Sequence, residues 1–372
     1  MKNKYQFLIA LLLFLSVNML FVLKYAQRVF SIDITLLLTL GYALSIILFL
    51  WFLNRFKLAQ RLSLKVLIIF VLSTVVLLAV GQQMIDPYQL QVDRWSAIHT
   101  FIDNLIHGVY PYGAQTHLGG YGSPFPVWQL FHIPFYLLGN VGWSFIVATL
   151  MFIHAVYKQF GKQIAVCVFV LLIVSPAFLY EVMVRSDLIT NFLLVCSIIC
   201  YMLHYQFSFK QQWMKVAIIC GLMMSTRLTA ILPFAVFFFY DYIRSKSSVI
   251  VCFPIVVIAV FAITFVPFLL WDGQMLLFFE YNPFILQSRQ GHLVDFLIFI
   301  PFAIWLSLSW KENISRYFFN SALLLLLFVL VTFIHNMYNN NNWNELFDSA
   351  YDITYFNMSL PFLIIALSSN AK

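Results

Sequence analysis

Long apolar runs follow one another along almost the whole sequence, and they constrain the fold more than any other feature. A helix needs about 17–25 apolar residues to cross a bilayer. Such runs start with Tyr5–Leu23 and Ile34–Leu53 and recur as far as Ile353–Leu367. Since lipid offers peptide groups no hydrogen bonds, runs of this length must fold as helices. We expect an all-α, polytopic helix bundle of about twelve transmembrane segments.

The composition excludes a large soluble domain. Only 9% of the residues are charged and 63% are hydrophobic, far from the usual values for soluble proteins. We therefore expect a single integral-membrane domain over residues 1–372. The run Tyr5–Leu23 resembles a secretory signal, but its length and the lack of a small-x-small cleavage site favour a retained helix.

The basic residues predict how the chain is oriented. Most of the 21 lysines and arginines lie between alternate apolar runs, where the positive-inside rule places the cytoplasm. These residues are Lys2, Lys4, Arg55, Lys57, Arg61, Lys65, Lys158, Lys162, Lys210, Lys215, Arg244, Lys246, Lys311, Arg316 and Lys372. Both termini are then cytoplasmic. The net charge of +7 orients the protein in the bilayer and does not indicate a nucleic-acid partner.

The longest polar stretch, Gly81–Pro126, falls on the extracytoplasmic side of this layout. Within it, apolar residues recur at helical spacing from Trp95 to Leu105, with polar residues between them, as in a helix that lies on a membrane surface. A second short apolar run, Val127–Leu138, predicts another interfacial or re-entrant helix. We call residues 81–140 the outer segment, and we place the active site there because rigidly held loops commonly carry function.

Two carboxylates of the outer segment are candidate general bases. Asp93 precedes the predicted surface helix, where a partly desolvated carboxylate can take a proton from a hydroxyl. Its ordinary alternative is a loop acid that pairs with Arg94 or caps the helix. Asp86 is the other candidate, although Asp-Pro also commonly opens a turn.

Three outer-segment residues, His99, Asp103 and His107, repeat at i, i+4 and i+8. Imidazole and carboxylate at that spacing suit several divalent ions. The polar side of a surface helix collects such residues without any metal. We therefore expect no cofactor and keep a divalent metal as the alternative.

Three arginines stand apart from the cytoplasmic groups: Arg185, Arg227 and Arg289. An arginine inside the membrane costs about 2.5–3.5 kcal/mol on insertion scales, so it is usually paired or functional. Phosphate is its natural bidentate partner, and these three are candidate phosphate ligands. Arg227 joins two short apolar runs with cytoplasmic flanks, which predicts a helical hairpin with an arginine at its tip. Arg185 has the alternative of pairing with Asp187 or Glu181.

Four short motifs, in order, resemble the GT-C superfamily of membrane glycosyltransferases. They are Asp93, then Gly108-Val-Tyr-Pro-Tyr112, then Tyr121-Gly-Ser-Pro-Phe-Pro126, and a hairpin from Gly221 to Pro233 that contains Arg227. The closest likeness is to bacterial mannosyltransferases that use polyprenyl-phosphate mannose. The family's paired prolines are split here by Phe125, and no Asp-Glu or Asp-x-Asp pair marks the base, so Asp86 and Asp93 both stay open.

The resemblance implies an inverting transfer of one hexose, similar to mannose, from a polyprenyl-phosphate donor to a hydroxyl of a glycolipid, glycan or protein. In that scheme Asp93 or Asp86 is the base and the three arginines hold the donor phosphate. Acceptor and sugar contacts are assigned to Tyr110, Tyr112, Tyr121 and His99. The family also implies a bacterial inner membrane. The alternatives are a polymerase of O-antigen type that joins lipid-linked repeat units, and a non-enzymatic flippase or transporter of lipid-linked sugars.

Overall fold

The computed structural model describes residues 2–288, 293–310, 313–344, 347 and 352–370. Across these residues the chain is helical and forms no β-strand; an isolated antiparallel bridge joins Gln115 to Tyr121. The predicted all-α class is therefore confirmed.

The described α-helices are numbered in chain order. They are α1 (Lys2–Ala26), α2 (Ile32–Arg55), α3 (Leu58–Arg61), α4 (Leu64–Gln83), α5 (Arg94–Ile106), α6 (Pro126–Phe131), α7 (Ile133–Leu137), α8 (Ser144–Phe160), α9 (Lys162–Ile173), α10 (Pro176–Met183), α11 (Leu188–His204), α12 (Phe209–Met224), α13 (Ile231–Tyr242), α14 (Ser247–Leu277), α15 (Pro283–Ser288), α16 (Leu293–Leu308), α17 (Ile314–Asn339) and α18 (Leu360–Asn370). Short 3-10 helices cover Pro87–Gln89, Pro111–Gly113, Val141–Trp143, Leu228–Ala230 and Ile353–Ser359.

Membrane-crossing length is reached by fewer helices than the sequence predicts. In the described part of the chain, six helices are long and apolar enough to cross: α1, α2, α4, Val141–Phe160, α14 and α17. A seventh crossing results if α9 and α10 count as one span, although they meet at an angle of 65°. The other apolar helices have 10–17 residues, and a straight crossing takes about 20. A multi-pass membrane protein is thus confirmed, and the number twelve stays a prediction.

Local sequence explains two of the breaks between helices. Gly161 has a φ of 82°, which side-chain-bearing residues rarely adopt, and it separates α8 from α9. At the bend between α9 and α10, the Ser175 hydroxyl accepts the Phe178 N–H at 3.2 Å, and Pro176 occupies the first position of α10. Apolar periodicity continues through the bend, so hydropathy alone reads one helix there.

The core and the lipid-facing surface use different helices. Residues Leu360–Leu367 of α18 are enclosed by α1, α9 and α17, and α11 is buried against α8. A helix that is apolar all round is expected inside such a bundle. By contrast, α2, α4 and α14 expose most of their apolar side chains, as helices in contact with lipid do.

The first predicted interfacial helix exists, but protein covers its apolar face. Trp95, Ile98 and Ile102 of α5 are buried together with Phe101. They pack in one cluster with Phe265 and Phe268 of α14 and Trp128 of α6. Because these aromatic rings occupy the face predicted to meet lipid, a position on the membrane surface is not confirmed for α5. The run Val127–Leu138 forms two short helices, α6 and α7.

Candidate active site

Asp93 lies at the N-terminus of α5 and is partly exposed. Its side chain does not cap the helix, and it forms no salt bridge with any described residue. Instead, the Thr116 hydroxyl donates to Asp93 Oδ2 at 3.0 Å. Both ordinary alternatives predicted for Asp93 are therefore wrong, since Arg94 pairs elsewhere. Among the described residues this carboxylate has one hydroxyl donor and no cationic partner, so oxygen lone pairs stay available for another donor.

A tight hairpin, residues Gln115–Tyr121, presents Thr116 to Asp93. The Thr116 N–H donates to the Gly120 carbonyl at 2.8 Å, and the Gly120 N–H donates to Thr116 Oγ1 at 3.0 Å. Gly120 must be small, because a Cβ atom there would lie 2.9 Å from Asp93 Oδ2. The hairpin thus fixes the carboxylate by one hydrogen bond and by close packing.

His117 ties this hairpin to α5. Its Nε2 lies 2.9 Å from the Leu90 carbonyl oxygen, and its Nδ1 lies 2.7 Å from Ser96 Oγ. The Leu90 carbonyl can only accept, so Nε2 carries a hydrogen and donates it there. The ring therefore anchors the hairpin at both of its nitrogens.

An open cavity of about 480 Å³ lies beside Asp93. Tyr121 and Tyr281 stack on one side of it, with ring centroids 5.1 Å apart and an interplanar angle of 14°. Gln115 lines the cavity as well and donates to the Tyr121 hydroxyl oxygen at 2.9 Å. The tyrosine rings offer apolar surfaces, and the amide and the carboxylate offer hydrogen-bonding groups, a combination that suits a polyhydroxylated ligand.

Asp86, the other candidate base, has different surroundings. It is exposed and caps the 3-10 helix Pro87–Gln89 by accepting the Tyr88 N–H at 3.0 Å. It is not among the residues that line the cavity beside Asp93. The turn-opening role predicted as its alternative is what Asp86 performs here.

A second cavity, of about 360 Å³ and mostly apolar, contains Arg227 in its lining. Arg227 lies between α12 and the 3-10 helix Leu228–Ala230 and is 3% exposed. Leu286 lines both this cavity and the one beside Asp93, so the two are neighbours. Gln287 also lines the apolar cavity and donates to the Ser123 carbonyl at 2.8 Å, linking α15 to the outer segment.

Arg227 is held by Asp187. Its Nη2 lies 2.6 Å from Asp187 Oδ2, and the Trp128 indole N–H donates to the same oxygen at 2.6 Å. Arg227 Nε is buried and has no hydrogen-bond partner among the described residues. A buried donor left unpaired costs about 1–3 kcal/mol, a cost that a bound anion would remove.

Asp187 belongs to a larger charge network that extends from the buried Arg227 to the partly exposed Asp352. Arg94 Nη1 lies 3.8 Å from Asp187 Oδ1, and Arg94 Nη2 lies 2.7 Å from Asp352 Oδ2. Burial alone would raise the pKa of Asp187, but Arg227 and Arg94 outweigh it and hold that pKa below its usual value. Arg94 also lies over the Tyr355 ring, 4.7 Å from its centroid, and Tyr355 lines the apolar cavity. The network therefore supports one wall of that cavity.

The other two predicted arginines lie apart from this arrangement. Arg185 Nη2 donates to the carbonyls of Gln82 and Ile85 at 2.7 and 3.1 Å, at the end of α4. Burial lowers the pKa of Arg185, opposed by Asp86. The alternative predicted for Arg185, pairing with Asp187 or Glu181, is wrong. Asp187 pairs with Arg227 and Arg94, and Glu181 accepts from the Ile189 N–H and the Asn357 amide. Arg289 falls outside the described residues.

Among the predicted sugar-contacting residues, Tyr121 lines a cavity and the others pack in the aromatic cluster around α5. Tyr112 is 2% exposed and meets Phe101 and Phe268 edge-on. Tyr110 packs against Trp271. His99 lies between Trp95 and Tyr136, and burial lowers its pKa, opposed by Asp103.

The predicted alternative of a metal is not supported by this geometry. Among the described residues, no group of three or more His, Cys, Asp and Glu side chains is placed to bind a metal ion. The helix α5 ends at Ile106 with His107 as its C-cap, and His107 Nδ1 lies 2.8 Å from the Asp103 carbonyl oxygen and 3.5 Å from Asp103 Oδ1. The Tyr136 hydroxyl donates to Asp103 Oδ1 at 2.6 Å.

His132, which the sequence did not single out, is a buried neutral imidazole. Its Nδ1–H donates to the Trp128 carbonyl at 2.7 Å, and Nε2 accepts from the Ser144 hydroxyl at 3.0 Å. Burial lowers the pKa of His132 to about 4. It therefore stays uncharged near the Asp187 network.

Thr116, Tyr281, Asp187 and Asp352 were also missed as site residues. Asp352 and Arg94 are 258 residues apart in sequence, so no local pattern connects them. The position of Asp187 between two apolar runs was a usable signal that it is paired or functional. In the sequence, however, the arginine nearest to it is Arg185, whereas its partner in the structure is Arg227.

Comparisons of this chain with family models, with curated proteins and with solved structures find no match. The resemblance to GT-C glycosyltransferases therefore stays a prediction from short motifs.

Proposed function

We propose that this protein is an integral-membrane glycosyltransferase that transfers one sugar from a polyprenyl-phosphate donor to an acceptor hydroxyl. One observation carries the proposal: a polar cavity, lined by a carboxylate that pairs with no cation among the described residues, adjoins an apolar cavity with a buried arginine, and Leu286 lines both. A reaction between a polar acceptor and a phosphorylated lipid needs such a pair of compartments.

In this scheme the acceptor sugar stacks on Tyr121 and Tyr281 and presents its hydroxyl to Asp93. The carboxylate takes the hydroxyl proton while the oxygen bonds to the anomeric carbon of the donor sugar. The bond from that carbon to the phosphate oxygen breaks, and the polyprenyl phosphate leaves with both electrons. One such displacement inverts the anomeric configuration, and Asp93 later loses its proton to water through the open cavity.

Arg227 is proposed to bind the phosphate as its charge grows. The lipid chain would lie in the apolar cavity, where arginine offers several N–H donors to phosphate oxygens. Asp187 keeps the guanidinium in place without covering Nε. The outer face of a bacterial inner membrane, a mannose-like hexose and a glycolipid or glycan acceptor belong to the same proposal.

The test compares Asp93→Asn with Asp86→Asn in membranes supplied with labelled polyprenyl-phosphate sugars. Loss of a general base slows a reaction by about 10²- to 10⁴-fold, so we expect that loss for Asp93→Asn and near-normal activity for the exposed Asp86→Asn. Full activity of the Asp93 variant would remove it as the base. Polymerised lipid-linked units, or transport of the donor without a new glycosidic bond, would instead favour the polymerase or the flippase.

Donor binding tests the arginine separately. Arg227→Lys keeps the positive charge that balances Asp187 but loses the planar guanidinium group with its paired N–H donors. We therefore expect weaker binding of the labelled donor. Arg28→Lys is the matched control, because Arg28 is exposed and stacks on Tyr25 at 4.9 Å. Equal binding by both variants would exclude Arg227 from the phosphate site.

A further inference from the structure

A cavity of about 620 Å³ lies between α1, α2, α3, α9 and α18. It shares no lining residue with the two cavities of the candidate active site. In the orientation that the charges predict, its mouth is on the cytoplasmic side, opposite the outer segment.

Most of the lining is apolar. Along α9 it extends from Gln163 to Leu171, which at 1.5 Å per residue is about 12 Å. Phe7 and Leu11 of α1 and Leu367 of α18 also contribute. A long, narrow apolar space of this kind accommodates part of a hydrocarbon chain.

One end of the cavity is polar and basic. Lys57, Gln60 and Gln163 line it there, and all three are exposed. Further cations belong to the same region, and none of them forms a salt bridge with an acid in the described part of the chain: Arg55, Arg61, Lys65 and Lys162. Lys162 Nζ donates to the Gln60 carbonyl at 3.2 Å. This end therefore has a net positive charge and complements an anion.

Ser368 supplies a second, independent observation. It lines the cavity, is 5% exposed, and its hydroxyl has no hydrogen-bond partner among the described residues. An unpaired buried hydroxyl is costly, and helical serines usually bond to the preceding turn. A polar group inside the cavity would satisfy it, as the ester linkage of a lipid can.

The way in is open to lipid. The helix α2 contributes Ile47, Leu50, Trp51 and Leu53 to the lining, yet only 11% of its spanning window is buried by protein. Trp51 is 61% exposed next to the basic end, and tryptophan is enriched at the level of lipid headgroups. A bilayer lipid can therefore reach the cavity past α2 without leaving the membrane.

We propose that this cavity binds an anionic phospholipid of the adjoining leaflet. One acyl chain fills the apolar space, and the phosphodiester lies against Lys57, Gln60 and Gln163. The site is independent of the proposed glycosyl transfer, because it uses other helices and takes no part in the reaction.

The first test measures lipid retention by native mass spectrometry after purification from vesicles of phosphatidylglycerol and phosphatidylcholine. We expect the full-length protein to retain phosphatidylglycerol. Lys57→Gln should bind it about fivefold more weakly, because one cation near an anionic lipid surface contributes about that factor in affinity. Lys215→Gln is the matched control, an exposed lysine of α12 that neither lines the cavity nor belongs to its basic end.

The second test uses Cys167, which lines the cavity, in a Cys252→Ser background that removes the exposed thiol on α14. We expect modification by N-ethylmaleimide to be several-fold slower in phosphatidylglycerol vesicles than in pure phosphatidylcholine, and Lys57→Gln to remove the difference. The proposal would be overturned by equal modification rates in both lipids or by equal retention of phosphatidylglycerol in the two lysine variants. It would also be overturned if the protein preferentially retained a polyprenyl phosphate, or if a dimer shielded Cys167.

Discussion

Asp187 and Asp93 are the same side chain in opposite surroundings. Asp187 is 3% exposed and is bound by Arg227, Trp128 and, more distantly, Arg94. Asp93 is partly exposed and lines an open cavity, and among the described residues its carboxylate is held by Thr116 only. The first carboxylate is buried beside two arginines, and its Oδ2 accepts hydrogen bonds from Trp128 and Arg227 that stabilise the fold. The second keeps oxygens for a substrate, which is why we place the chemistry there.

The largest effect is expected for replacing Asp187. Asp187→Asn leaves Arg227 buried without its counter-charge, and removing one partner of a buried ion pair costs about 3–5 kcal/mol. We expect that loss in the free energy of unfolding, measured by denaturant titration in detergent. The exposed Asp86→Asn should change it little. A stable Asp187→Asn protein would mean that Arg94 and Asp352 suffice for the network.

A second expectation concerns pH and His132, which lies near Asp187. The pKa of His132 is lowered to about 4 by burial, whereas the unfolded ring titrates near 6.5. Between these values the unfolded chain binds a proton that the folded chain excludes, so stability falls as the pH falls from about 6.5 to 4, by about 3 kcal/mol. Thermal unfolding of wild type and His132→Gln across this window measures the effect. Equal pH slopes would contradict it.

Gly120→Ala tests whether the position of the Asp93 carboxylate matters for activity. The added Cβ would lie 2.9 Å from Asp93 Oδ2 and 3.4 Å from Thr116 Oγ1, so the carboxylate must move. Overpacking of this kind costs about 1–3 kcal/mol, and we expect transferase activity to fall with little change in donor binding. Unchanged activity would show that the position of Asp93 is not critical.

The smallest effect is expected for the hydrogen bond from Thr116. Thr116→Val removes the hydroxyl and keeps the shape, at a net cost of about 1 kcal/mol, or roughly a fivefold loss of activity. Thr116→Ser should restore most of that loss, because it keeps the donor. If serine and valine variants are equally active, the hairpin positions Asp93 by packing alone.

The sequence predicted those elements of the fold that have a local pattern of apolar residues. Apolar runs gave the long helices α1, α2, α4, α14 and α17, and the spacing of Trp95, Ile98 and Ile102 gave α5. The number of crossings stays a prediction, because hydropathy does not register a bend such as the 65° angle between α9 and α10. The spacing also predicts the apolar face of α5, and the structure packs that face against Phe265 and Phe268, which no local pattern indicates.

Local composition and period are enough to predict a multi-pass membrane protein and the concentration of polar residues in the outer segment. Which charges meet depends on how the helices pack: Asp187 pairs with Arg227 rather than Arg185, and Arg94 pairs with Asp352 across 258 residues. Buried charges must find partners wherever the packed helices bring them, and spacing along the chain carries no record of that choice.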